Sequence, residues 1–139
     1  MCRPFTENIV NLKRKETVMT IINFTQHNAT TEQVAAGVVD AIPAQVRAEV
    51  LTFSSLPTVE EIWARADKAV GLIAPHAEPG TQVMVGGAPF FMSALEAVLK
   101  AAGFKPVYAF SERVSMDVVQ PDGTVVKTSK FAHKGFVEV

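Results

Sequence analysis

The chain has 139 residues, a net charge of -1, 48% hydrophobic residues and one cysteine, Cys2. That length predicts one domain, and that apolar content is enough for a packed core. The charge balance excludes a basic field for a long nucleic acid or an anionic membrane. A lone cysteine excludes an internal disulfide and a cysteine metal cluster, which fits a reducing, cytoplasmic setting.

Residues 1–18, "MCRPFTENIVNLKRKETV", mix four basic side chains with polar ones and lack the apolar core of a signal peptide. They read as a flexible leader ahead of a single domain over residues 19–139. No run approaches the ~18 apolar residues of a membrane span.

From Met19 to Phe24, "MTIINF" is apolar and β-branched, as a buried strand requires. Thr30 and Gln33 have capping-box spacing and introduce a helix to about Ala41, stopped by Pro43. "VLTFS" (Val50–Ser54) reads as the second strand. Thr58 and Glu61 repeat the capping spacing and open a helix to about Ile73, on which Trp63 is expected in the core.

"QVMVG" (Gln82–Gly86) is the third strand, and Phe90 to Ala102 forms a helix that buries Met92, Leu95, Val98 and Leu99. Gly103 supplies its left-handed stop. "PVYAF" (Pro106–Phe110) is the fourth strand. Beyond Ser111, two alternating runs flank Pro121-Asp122-Gly123, the signature of an antiparallel hairpin. Strands alternating with helices predict a small Rossmann-like, three-layer α/β fold with a mostly parallel sheet and a C-terminal hairpin.

Ligands of open α/β sheets bind beyond the carboxyl ends of the strands. Asn23, Thr25, Gln26 and His27 fall there after strand one, and Gly86, Gly87 and Ala88 after strand three. Ser111, Glu112 and Arg113 follow strand four. Donors, a titratable imidazole and an obligate cation suit a phosphate-bearing ligand. Each also has a plainer reading: His27 as a surface residue, the glycine pair as a tight turn, Arg113 as part of a solvated mixed-charge face. Scattered His27, His76 and His133 do not specify a metal. No GxSxG elbow supports Ser111 as a hydrolase nucleophile, and neither GxGxxG nor GxxxxGK[ST] is present for NAD or ATP. Phe90, Phe91 and Met92 cannot all enter one buried stripe, so one of them is expected to cap a pocket or join a contact between subunits.

Several segments in order, "NFTQHNATTEQ", "VEEIWARA", "QVMVGGAPFFMSALEAVLKAAGFKPVYAFSER" and "DGTVVKTSKFAHKGF", are similar to small single-domain CARF-like proteins of type III CRISPR systems. The resemblance covers about 120 residues. It implies a homodimeric ring nuclease that binds cyclic oligoadenylate across a two-fold axis and opens it without metal or cofactor. On that resemblance Arg113 neutralises the scissile phosphate, His27 moves a proton, and Ser111 belongs to the same polar segment. Asn23, Thr25, Gln26, Gly86, Gly87, Ala88 and Phe90 then contact the ligand. "GGAPFF" is stiffer and more apolar than that family's turn. Two other readings stand beside it: a nucleotide sensor without catalysis, and a small interaction protein whose glycine turn is structural.

Overall fold

A computed structural model describes residues 20–139. The expected leader lies outside the described residues. The sheet has five strands: β1 (Ile21–Phe24), β2 (Val38–Val39), β3 (Gln82–Val85), β4 (Lys105–Val119) and β5 (Val125–Glu138). Four α-helices accompany them: α1 (Thr31–Ala35), α2 (Ala44–Leu51), α3 (Val59–Ile73) and α4 (Pro89–Ala101). The strand order is β2-β1-β3-β4-β5, with every pair parallel except β4–β5. The α/β class, the mostly parallel sheet and the terminal hairpin are as the sequence predicts.

Alternation along the central strands divides the core between the two faces of the sheet. Ile22, Phe24, Val83 and Val85 pack with side chains of α2, α3 and α4 in the larger cluster. Ile21, Val38, Met84 and Val107 form a smaller one with Ala29, just ahead of α1, and Phe136. Chain reversal explains the division. The connection from β1 to β2 runs one way across the sheet and the later crossovers run the other. Right-handed connections then place α1 opposite α2–α4.

Two predicted elements change. The helix expected to reach Ala41 ends at Ala35, because Gly37 turns to φ +107° and frees Val38-Val39 to pair with Ile21-Ile22. The second strand is therefore this valine pair and not Val50–Ser54. Val50 and Leu51 instead close α2, where with Arg47 they form its buried i, i+3, i+4 stripe. Trp63 is also displaced from its expected place. It is 45% exposed, and α3 buries the small Ala66 and Ala69 with Ile73.

The third and fourth helices follow their sequence signals. The Thr58 side chain accepts a hydrogen bond from the Glu61 amide at 3.1 Å and caps α3. Pro89 opens α4, Gly103 ends it at φ +91°, and Leu95 and Leu99 are buried while Val98 is only partly so. Removing the α3 cap should cost about 1 kcal/mol. Urea unfolding of Thr58→Ala is expected to show that loss as a lower midpoint with an unchanged slope.

A pocket at the sheet's switch point

Neighbouring connections leave in opposite directions from the carboxyl ends of β1 and β3, so a crevice opens between them. A pocket of about 680 Å³ lies there. Thr25, Gln26 and His27 come from the exit of β1, Thr30 and Gln33 from the start of α1, and Gly86, Gly87 and Ala88 from the exit of β3. Tyr108 and Ala109 of β4 complete the wall.

The β1 exit owes its shape to Arg47, whose side chain is fully buried. Nε donates to the Ile42 carbonyl at 2.9 Å, and Nη1 donates to the carbonyls of Thr25 at 2.7 Å and His27 at 2.9 Å. Nη2 donates to Asn28 Oδ1 at 2.8 Å and lies 3.9 Å from Asp40 Oδ1. Guanidinium is the one side chain whose rigid fork serves so many acceptors at once.

Asn23, also buried, completes the clamp. Its Nδ2 donates to Asp40 Oδ1 at 2.6 Å and to the His27 carbonyl at 2.8 Å. Its Oδ1 accepts from the Thr25 amide and hydroxyl at 3.0 and 2.8 Å. Asp40 in turn accepts from the Ala29 amide at 3.2 Å. The backbone is thus held on both sides of His27, which borders the pocket. Asn23 itself supports the wall from behind and does not line the cavity.

The glycine pair acts through space. Neither residue has positive φ. A Cβ on Gly86 would stand 3.4 Å from Thr25 Cγ2, and one on Gly87 would stand 3.2 Å from Met92 Cε. Lacking side chains, both leave their backbone open to the crevice beside the start of α4. Phe90 turns away from the pocket lining. It is half-exposed and meets Phe53 edge-on at 5.0 Å, while Phe91 and Met92 enter the core.

Ser111 and Arg113 stand elsewhere. β4 does not end at Phe110 but continues to Val119, so both belong to a two-stranded extension and neither lines the pocket. The ladder shifts register between Phe110 and Ser111, and the extra residue, Lys134, is on β5. Alternation along β4 is therefore unbroken. It sets Ser111 and Arg113 on the same side as Val107, which packs with the α1-side cluster. Arg113 lies over the Phe131 ring, 5.3 Å from its centre.

Arg47, Asp40 and Tyr108 escaped the sequence reading, as did the pocket-lining Asn28, Thr30 and Gln33. A charged residue on an otherwise apolar helical stripe was the available signal for Arg47. Tyr108 donates its hydroxyl to Glu96 Oε2 on α4 at 2.5 Å. Burial first, and then the bond to and charge of Glu96, push its phenol well above the ordinary value. His133, left open by its sequence context, packs edge-on against Phe136, and its amide donates to Glu32 of α1 at 2.9 Å. No helix among the described residues is long and apolar enough to cross a membrane.

The chain belongs to the Uncharacterized protein MJ1673 family, which it matches over residues 19–137. No curated protein and no solved structure gives a match.

Truncating Arg47 should remove the clamp. Arg47→Met takes the guanidinium donor from the Ile42 and Thr25 carbonyls and from Asn28 Oδ1, leaves the His27 carbonyl to Asn23 and Thr25, and leaves Asp40 without its cation; it is expected to cost about 3–5 kcal/mol in urea unfolding. Arg47→Lys should recover only part of this, since an ammonium has three donors and no fork. Tyr108 is the sole tyrosine, so tyrosinate absorbance reports it alone. Its titration is expected above the ordinary phenol range in the native protein, and Glu96→Gln should bring it down. With the folded value raised, this contribution to stability is complete below the unfolded phenol value of about 10 and is lost as pH rises from there towards the folded one.

Proposed function

We propose that the switch-point pocket binds a phosphate-bearing nucleotide and that this nucleotide is cyclic oligoadenylate, opened by the protein as a metal-independent ring nuclease. The observation that carries the binding reading is the convergence of the glycine turn with the Thr25–His27 loop around one cavity. Its composition suits the ligand: hydroxyl, amide and imidazole groups on one wall, and bare backbone with a helix start on the other. The cyclic oligoadenylate reading rests on the CARF-like resemblance.

In the proposed reaction a ribose 2′-hydroxyl of the ligand attacks its neighbouring phosphorus, and the bond from phosphorus to the 5′-oxygen breaks. The product is a linear oligoadenylate ending in a 2′,3′-cyclic phosphate. One proton leaves the 2′-oxygen and one reaches the departing 5′-oxygen. His27 is the pocket's candidate for moving a proton. Arg113 and Ser111 act only on a ligand that extends past Ala109 along the same side of β4. A ring of four nucleotides is large enough to do so, since a cavity of about 680 Å³ is in the range that holds one drug-sized molecule.

A second reading, nucleotide binding without cleavage, is favoured by one observation: the only arginine assigned to the phosphate is outside the pocket. Incubation with cyclic tetra-adenylate in EDTA separates the two. Linear products that disappear with His27→Ala, by about 10²–10⁴-fold in rate, are expected for the nuclease. Tight binding with intact ligand would leave the sensor, and no binding would remove both.

A further inference from the structure

The carboxamides around the exit of β1 are not equivalent. Asn23 uses both ends of its amide within the clamp. Gln26 reaches the Thr52 hydroxyl at 3.4 Å. A hydroxyl both donates and accepts, so that contact does not decide which end of the Gln26 amide meets it.

Asn28 and Gln33 differ from both. Asn28 meets the Arg47 guanidinium at 2.8 Å. A guanidinium only donates, so the atom facing it is Oδ1 and the NH2 group is the end left over. Gln33 meets the Thr30 amide at 3.0 Å, while the Thr30 hydroxyl accepts from the Gln33 amide at 3.2 Å. A backbone amide likewise only donates, so this capping box engages Oε1 and again leaves the NH2 group. Neither NH2 meets an acceptor among the described residues. Both residues line the pocket.

No Lys, Arg, Asp or Glu lines that pocket. Its side-chain polarity thus comes from neutral groups, with the His27 imidazole as the one that can become a cation. Two donors of fixed orientation stand in it without partners.

We infer that Asn28 and Gln33 are ligand-binding residues, and that each NH2 group donates to a non-bridging oxygen of a phosphodiester. This rests on the reading of the pocket as a phosphate site and adds the form of the phosphate. The non-bridging oxygens of a phosphodiester only accept, and they share a single negative charge. Bonds from donors to an ionised acceptor are stronger than those between neutral groups. Arg47 and Thr30 also hold these donors in place before the ligand arrives, which lowers the ordering cost of binding. A terminal phosphate monoester fits less well in either of its forms. Above its second ionisation at about pH 6 it is a dianion, which needs a cation that the lining lacks once water is removed. Below that it carries a P–OH proton, which meets donors where it requires an acceptor.

The test is nuclear magnetic resonance of the isotope-labelled full chain, in which carboxamide NH2 signals are seen directly. Dimethyl phosphate, a phosphodiester without base or sugar, is titrated first and cyclic tetra-adenylate second. Both are expected to move the Asn28 and Gln33 NH2 signals. Methyl phosphate at about pH 8, where it is a dianion, should bind more weakly than dimethyl phosphate. Asn28→Asp and Gln33→Glu keep the oxygen that meets Arg47 or Thr30 and put an anionic oxygen in place of the NH2. Each should keep the circular dichroism spectrum and weaken cyclic tetra-adenylate by about ten- to hundredfold. Cyclic tetra-adenylate bound with both NH2 signals unmoved, or with unchanged affinity in both variants, overturns the inference and leaves the nucleotide reading standing. Methyl phosphate bound as tightly as dimethyl phosphate overturns the choice of a phosphodiester. Dimethyl phosphate bound through these two groups, with no binding of cyclic tetra-adenylate, supports the inference and removes the proposed function. Binding of neither overturns both.

Discussion

A single buried guanidinium fixes the wall from which the pocket is built. Burying Arg47 is costly in itself, and ion pairs removed from water seldom add net stability. Its value is specification. The exit of β1 has to turn sharply with its carbonyls pointing inward, where water does not satisfy them. Arg47 supplies donors to Thr25, His27 and Ile42 together, and so joins the start of α2 to the end of β1. Asp40 balances the charge from a partly exposed position and engages Asn23 and the Ala29 amide as well. Removing any one of these groups leaves the others with unmet polar atoms, and the loop shape depends on the whole set.

The opposite wall is made by omission. A side chain at Gly87 would press on Met92 Cε, and one at Gly86 would fill space up to contact with Thr25. Pro89 starts the next helix at no cost in hydrogen bonds, because the first helical amide has no partner in any case. The turn is stiff where the facing loop is clamped. Both walls are thereby preorganised, which lowers the ordering cost for any ligand that fits between them.

Local signals made much of the fold legible. Capping residues at Thr30 and Thr58, the glycine stop at Gly103 and the Pro-Asp-Gly turn each act within a few residues, so a sequence displays them directly. The segment from Ala36 to Ser54 was not legible, for identifiable reasons. A strand of two valines is too short to show a period, and it exists only because Ile21 and Ile22 lie beside it. Arg47 on the buried stripe erases the amphipathic signature of α2, leaving "VLTF" to look like a strand. Trp63 misleads in the converse way: α3 packs closely through alanines, and the large ring is left half in solvent. For the site, the turn and the His27 loop could be anticipated from topology. The clamp could not, since it joins residues 23, 25, 27, 40 and 47 through contacts that no spacing encodes.

β4 also shows why strand boundaries matter for function. With its end placed at Phe110, Ser111 and Arg113 fall into a loop over the pocket. With the strand continuous, they become two successive same-side positions leading away from it. The bulge on β5 adjusts the ribbon without inverting β4, so the Ser111 and Arg113 side of the ribbon remains an extension of the Val107 side of the sheet. The side of Met116 and Val118 is the continuation of the helix-covered face, beyond the elements that cover the sheet. One strand thus carries the demands of both faces past the body of the domain. There, exposed apolar groups fall on both sides of the ribbon: Met116, Val118 and Val126 on one, Phe131, Val119 and Val125 on the other.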